Sequence, residues 1–324
     1  MNAVYPEDFY VRYVDACNSH TKGLVYIAAI YHEVVEPYET LSPYLIELDL
    51  KGMDSNCKIM IDGSKMGDKY KSNYDCLCQD LNGFVYIGTE DGFIKYDGKD
   101  LEFVDVIFPN KRRGSIRCAH AIANDVFFGD SEGGVIFYSE GGLIRSQLNK
   151  VDINPNWING VHGVYDCSVI AVGVGGLVAK YINSEWEVIP SPANIWLNAV
   201  CVVEDKVIYV AGKLGFAWRW DRGSRWGRLE AEKNDEYDVR FMDFAWYENV
   251  LYAAASRDGV YRLEGDVFVR VEEVGDAYVS KLSITDSGLV GLGNVWGSSG
   301  SWITHFDGQK WAAHQININL PQIS

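Results

Sequence analysis

Short apolar runs recur along the chain, each broken by Gly, Asp, Asn or Ser, and within them apolar and polar residues alternate. Phe93, Lys95 and Asp97 fall on one side of Ile94 and Tyr96, which is the two-residue period of a β-strand. No sustained 3.6-residue apolar pattern is present, so helices are expected to be nearly absent. The runs also repeat as a group. Val85–Phe103 reads VYIGTEDGFIKYDGKDLEF, Asp125–Ile144 reads DVFFGDSEGGVIFYSEGGLI, and Val207–Leu229 reads VIYVAGKLGFAWRWDRGSRWGRL. The common order is apolar strand, small residue, Gly-containing turn, aromatic-rich strand, polar tight turn, third strand. The small residue falls at Gly88, Gly129, Gly173, Gly212, Ala254 and Gly293, in steps of 41, 44, 39, 42 and 39 residues.

A period of about forty residues with several strands per unit is that of a four-stranded propeller blade. The fourth strand precedes each unit, at Tyr74–Gln79, Ile116–Ile122, Gly160–Cys167, Leu197–Val203, Phe241–Trp246 and Val279–Ile284. Small residues there, such as Cys76, Cys118, Ala119, Gly163 and Cys201, suit the crowded axis of a ring. The N-terminal part repeats the pattern loosely, with strands at Tyr10–Ala16, Leu24–Ile30, Tyr44–Leu50 and Lys58–Ile61 and an insertion at Tyr31–Pro43. The fold expected is therefore all-β: one seven-bladed β-propeller of four-stranded antiparallel blades spanning 1–324. Its blades fall roughly at 8–62, 74–106, 115–148, 158–190, 196–230, 239–272 and 278–318. Six blades with an N-terminal extension is the alternative. Asp97-Gly98 and Asp307-Gly308 are placed as two-residue hairpin turns needing positive φ. Ile316, Ile318 and Leu320 alternate with polar residues, so the tail either pairs as a strand near blade one or continues the last outer strand.

At VYIGTEDGFIKYDG, with Gly88 and Gly92 followed by Tyr96, Asp97 and Gly98, the chain resembles the regulator-type propeller repeat of bacterial sensory proteins. The ending recurs at His305, Phe306, Asp307, Gly308 and Trp311. The resemblance covers roughly Tyr74 to His314. It implies a scaffold and no catalytic residue, since its motif residues shape turns and packing. The membrane span and signalling module usual in those regulators are missing from this sequence.

Charge and cysteine usage narrow the function. A net charge of −16 argues against a nucleic-acid backbone or an anionic membrane as partner. It favours solubility and fast association with a basic protein. The N-terminus lacks the basic start and apolar core of a secretory signal. Seven cysteines in no disulfide spacing read as reduced thiols, so a cytoplasmic location is expected.

Candidate chemistry is sparse. His120 and His162 lie on inner strands of adjacent blades, where they either approach each other near the axis or serve as ordinary packed residues, and Cys76-x-Cys78 points two thiols to one face. Neither set reaches the three or four ligands of a zinc site, so no metal and no cofactor is assigned. No Ser-His-Asp set stands out, and no catalytic residue is named.

Binding features are clearer. In a propeller the turns after the second strand and the connections between blades share a face. There the turns should place Glu90, Asp91, Asp130, Glu132, Arg257, Asp258 and Trp296, and the connections Trp157, Trp196, Asp235, Glu236 and Tyr237. The insertion should add Tyr31, Glu33, Glu36, Tyr38 and Glu39 as a loop, since long loops are commonly functional. Trp and Tyr in exposed loops are anchor-type residues. The leading expectation is a non-catalytic protein-binding propeller, monomeric or in a heterocomplex. In its sharper form it is an immunity protein neutralising a basic bacterial toxin. The alternatives are a lyase or hydrolase acting on carbohydrate or a small metabolite at the axial mouth, and a scaffold or sensor subunit.

Overall fold

The computed structural model describes residues 9–35, 38–50, 57–66, 73–108, 114–148, 157–164, 168–204, 207–221, 225–232, 239–294 and 301–315. Over these the chain is a β-propeller built from successive four-stranded units. Blade one comprises β1 Phe9–Asn18, β2 Val25–Val35, β3 Tyr38–Leu48 and β4 Cys57–Asp62. Blade two comprises β5 Cys76–Gln79, β6 Val85–Gly88, β7 Gly92–Tyr96 and β8 Leu101–Asp105. Blade three has β9 Ile116–Ile122, β10 Asp125–Asp130, β11 Gly134–Ser139 and β12 Gly142–Gln147, and blade four has β13 Ile158–Gly163, β14 Val169–Gly173, β15 Val178–Ile182 and β16 Glu185–Val188. Blade five has β17 Leu197–Val203, β18 Val207–Gly212, β19 Ala217–Asp221 and β20 Gly227–Ala231, and blade six has β21 Asp243–Tyr247, β22 Val250–Ala254, β23 Val260–Glu264 and β24 Val267–Arg270. Blade seven closes the set with β25 Lys281–Thr285, β26 Gly288–Asn294, β27 Ser301–Phe306 and β28 Trp311–Gln315.

The first strand of each blade packs against the first strand of the next, from β1 through β5, β9, β13, β17 and β21 to β25, and β25 returns to β1. Among the described residues that circuit passes through seven four-stranded units. Blades five and six are further joined at the rim, where β20 pairs in parallel with β24 through Glu230↔Val267 and Ala231↔Phe268. Helical structure among the described residues is limited to single 3₁₀ turns.

The recurring small residue has a packing cause. A Cβ at Gly129 would lie 2.5 Å from Ile158 Cγ2 of the next blade, and one at Gly212 would lie 1.9 Å from the Trp196 carbonyl oxygen. The second strand of each blade thus ends beneath the chain entering an innermost strand, and a larger side chain has no room. Between blades the faces bury aromatic layers, such as Phe93 stacked on Phe128 at 4.6 Å and Phe241 beside Phe268 at 4.8 Å. The seam between the chain's two ends is apolar in the same way. Tyr13, Val25, Ile27 and Ile46 of blade one pack with Val290, Leu292 and Ile303 of blade seven. Each end blade is made of consecutive strands, so no described strand from one end completes the blade of the other. Ile316, Ile318 and Leu320 lie outside the described residues.

Two local expectations change. The described part of the insertion at Tyr31–Pro43 is not a loop: β2 runs on to Val35 and β3 starts at Tyr38, paired from Val25↔Leu48 out to Val35↔Tyr38. β1 follows β2 as far as Phe9↔Glu33. Backbone pairing satisfies the peptide groups there, which an irregular segment would leave open. The turns at Asp97 and Asp307 span four residues rather than two. Asp97 Oδ1 accepts from the Lys99 and Asp100 amides, and Asp307 Oδ1 accepts from those of Gln309 and Lys310. These amides hold both carboxyls below the usual carboxylate range. Gly98 and Gly308 take the positive φ of 96° and 92° that follows.

Candidate binding face and axial cavity

Hydrogen bonds fasten turns after second strands to connections entering the innermost strands: the turn of blade two reaches the entry to blade three, and the turns of blades four and five reach the entries to their own blades. The Asp91 amide donates to Gly114 O at 3.1 Å, the Ile116 amide to Thr89 O at 3.1 Å, the Val174 amide to Trp157 O at 3.0 Å and the Lys213 amide to Trp196 O at 3.3 Å. Among the described residues these turns and connections share one face. On it Glu90 is half-buried and bridges to Ser115, and Asp91 is exposed at φ 65°. Glu132 is half-buried, and Arg257 is exposed.

Two acids expected on that face are inside instead. Asp130 is fully buried: Oδ1 accepts from the Glu132 and Gly134 amides at 2.7 and 2.8 Å, and Oδ2 accepts from Arg145 Nε at 2.8 Å. It holds the turn of blade three together. Asp258 is 3% exposed, because the turn from Ala255 to Gly259 folds back through the Asp258 amide to Ala255 O and carries the carboxyl inward. Tyr31, Glu33, Tyr38 and Glu39 lie on the paired backbone of the β2–β3 hairpin, with Glu33 opposite Thr40 and Glu39 opposite Val34. Glu36, Asp235, Glu236, Tyr237 and Trp296 lie outside the described residues, as does the basic run Lys111-Arg112-Arg113.

Trp157 and Trp196 are brought together. Both are half-buried and meet edge-to-face with ring centroids 5.8 Å apart. Arg117 stacks on Trp157 at 4.4 Å and Lys213 on Trp196 at 3.8 Å, giving a ladder across blades three, four and five. Leu214 follows Lys213 at φ 64°, ψ 26° and is 53% exposed. A non-glycine residue in the left-handed region costs on the order of 1 kcal/mol. Blade four makes the same turn with Gly175 at φ 70°.

Down the ring axis runs a cavity of about 750 Å³ lined by the innermost strands of all seven blades. Lys281 Nζ sits 3.2 Å from Asp243 Oδ2 and 3.8 Å from Asp15 Oδ2. Asp15 also accepts from Ser283 Oγ at 2.9 Å and the Leu77 amide at 3.0 Å, and Asp243 from the Leu282 amide at 3.1 Å. One ammonium and two carboxylates thereby tie blades six, seven, one and two. Burial raises the Asp15 carboxyl above the usual range although Lys281 opposes it, and the two carboxylates hold Lys281 charged against its own desolvation. At Asp75 burial outweighs Arg117 and Arg12 and lifts the carboxyl to about 6.

His120 and His162 do meet, stacked at 4.2 Å. His120 Nε2 lies 2.8 Å from Gly163 O, which only accepts, so Nε2 carries the proton. His162 Nδ1 accepts from the Val202 amide at 3.1 Å. Burial pushes both imidazoles below their ordinary value, although the Gly163 carbonyl opposes it at His120, and the Val202 amide needs an unprotonated Nδ1 on His162. Among the described residues no three His, Cys, Asp or Glu side chains converge as a metal site. Cys76 and Cys78 are buried, and desolvation raises both thiols well above their usual value, away from the thiolate that redox or metal chemistry uses. Asp15, Asp75, Asp243 and Lys281 were not singled out by the sequence. Their only signal is a charged residue inside an otherwise small or apolar innermost strand.

No family model matches the chain. One curated relative, the "Immune protein Tsi7" of Pseudomonas aeruginosa, is 32% identical over 146 residues, which is 44% of this chain and 44% of the relative's own length. Among solved structures, the chain is similar to one in a mitotic checkpoint complex (TM-score 0.64, 10% identity, covering 87% of this chain and 83% of that one). It is also similar to YCF48 bound to D1 peptide (0.62, 13% identity, 89% and 94%) and to the WD40 propeller domain of Doa1 (0.60, 9% identity, 86% and 88%). No described helix is long and apolar enough to cross a membrane. At these identities the structural likenesses establish the scaffold, and the chain is a β-propeller.

Proposed function

We propose that this chain is a non-catalytic, protein-binding propeller that serves as an immunity protein, acting in the cytoplasm against a bacterial toxin of basic character. The observation that carries the reading is the 32% identical stretch shared with a protein named for immunity. The span of that match, less than half of either chain, makes the toxin partner part of the proposal. Three features support it. A β-propeller offers a broad rigid face for a protein partner. The net charge of −16 suits electrostatic steering of a basic one. The long β2–β3 hairpin of blade one carries Glu33 and Glu39 on paired strands, a stiffer mount than a loop. Within the same reading the chain acts as one unit over 1–324, and its repeat motif resembles that of regulator-type propellers.

The test is co-expression with the protein encoded beside its gene. Rescue of growth together with a stable complex is the expected result, and a toxic neighbour that is neither bound nor relieved overturns the reading. With the partner in hand, charge reversal at Glu33, Glu36 and Glu39 should slow association and flatten its salt dependence, with little change in dissociation. Unchanged kinetics would remove the hairpin from the interface.

A further inference from the structure

The turn of blade five keeps a strained, exposed leucine where the fold accepts glycine. Blades four and five make the same turn: Val174–Gly176 and Lys213–Gly215 are both single 3₁₀ turns, with Gly175 at φ 70° and Leu214 at φ 64°. Their amides bond to the preceding tryptophan carbonyls in the same way, Val174 to Trp157 and Lys213 to Trp196. Glycine is therefore sufficient for the backbone, and Leu214 buries little, being 53% exposed. Of the nine described non-glycine residues at positive φ, Leu214 alone carries a large apolar side chain, and that side chain is exposed.

Leu214 directly follows Lys213, whose amide bonds to the Trp196 carbonyl and whose ammonium lies over the Trp196 ring. The tryptophan backbones are pinned from both sides. A Cβ at Gly173 would lie 2.3 Å from Trp157 O and one at Gly212 1.9 Å from Trp196 O, so the indoles start from fixed points. Arg117 and Lys213 cap the ladder at its ends. Neither makes a salt bridge among the described residues, in a chain with 45 acidic and 29 basic side chains. Arg117 feels the field of Asp75 at the cavity rim. Lys213 has its indole as its side-chain contact. The patch is thus apolar in the middle and cationic at both ends, on a molecule that is otherwise strongly acidic.

We infer that Arg117, Trp157, Trp196, Lys213 and Leu214 form an anchoring site for an acidic peptide segment of a protein partner, one that presents an apolar side chain beside its carboxylates. The apolar side chain rests on the indoles and Leu214, and the carboxylates reach the two cations, where charge-assisted hydrogen bonds are strongest. A basic segment meets two like charges here. The site rests on the proposed function for the source of the segment: the steering field acts on the partner's net charge, and this anchor sets its register.

The test uses the full chain and three end-blocked fluorescent peptides alternating Leu with Glu, Gln or Lys, followed by anisotropy. The Glu peptide should bind saturably below about 1 mM and at least about tenfold more tightly than the Gln peptide. Trp196→Ala should weaken it about tenfold, and Arg117→Glu with Lys213→Glu should shift preference to the Lys peptide. Leu214→Gly should weaken binding about fivefold while melting no lower than the parent, because glycine suits that backbone. A merely structural leucine would leave the peptide affinity unchanged. No saturable binding of the Glu peptide up to about 1 mM, or equal affinity in the Leu214→Gly and double-charge variants, overturns the inference. Toxin rescue without peptide binding removes this anchor and leaves the immunity reading. Peptide binding without rescue keeps the anchor and removes that reading.

Discussion

Replacing Lys281 by Met tests whether the ring is held closed by charge. The ammonium lies 3.2 Å from one carboxylate and 3.8 Å from another, with Asp15 only 2% exposed. At an effective dielectric of about 20 those separations give gross attractions of roughly 5 and 4 kcal/mol. Desolvation of the three groups offsets much of that, so the net worth of the cluster is small. Removing one member is different, because the carboxylates remain buried without their counter-ion. The expected loss is about 3–5 kcal/mol. For a chain of 324 residues, an unfolding entropy near roughly 0.7 kcal/mol/K turns that into a fall in Tm of about 4–7 °C. The deficit should depend on pH. Asp15 already titrates above its ordinary value because of burial, and loss of Lys281 raises it further. A carboxyl with a raised folded pKa loses stability as pH rises from its unfolded to its folded value, so the variant should be more impaired at about pH 8 than at about pH 5. Asp15→Asn in the Lys281→Met background should recover part of the loss, since it removes one uncompensated charge. Calorimetric melting of the single and double variants at the two pH values is the measurement. A deficit below about 1 kcal/mol, or one equal at both pH values, would sink the view that this cluster is an interdependent charge network.

Two further titrations follow from the same cavity and carry opposite signs. Asp75 is protonated more readily folded, at about 6, than unfolded, so its cost appears as pH rises from about 4 to 6 and is constant above. Asp75→Asn should leave stability unchanged below about pH 4 and raise it by up to about 3 kcal/mol above about pH 7; no gain at neutral pH would count against burial as the cause. Burial holds the His120 and His162 imidazoles below their ordinary value when folded, so stability should fall as pH drops below about 6.5, by at most about 2.7 kcal/mol per pH unit for the pair. His162→Gln retains an acceptor for the Val202 amide and should halve that slope. An unchanged acid limb in chemical denaturation would show that the pair is hydrated and free to protonate.

The scaffold was legible in the residues alone. A propeller blade is a local object, its four strands consecutive and its turns made by adjacent residues, so alternation and the spacing of Gly88, Gly129, Gly173 and Gly212 carry its signature directly. The approach of His120 to His162 could be read for the same reason, since inner strands of neighbouring blades are adjacent in space. What the chain's order of residues did not carry is anything that depends on which side of a turn a carboxylate takes, or on residues meeting across the ring. Asp130 and Asp258 have the composition of exposed turn acids, and only hydrogen bonding within the folded turn drew them inside. The Tyr31–Pro43 segment lacks clean alternation, and its pairing was decided by extension of the neighbouring strands. Asp15 stands near one end of the chain, and Asp243 and Lys281 stand near the other. No local pattern links them, because the contact between β1 and β25 exists only once the last blade has packed against the first; closure of the ring made these three charges one cluster.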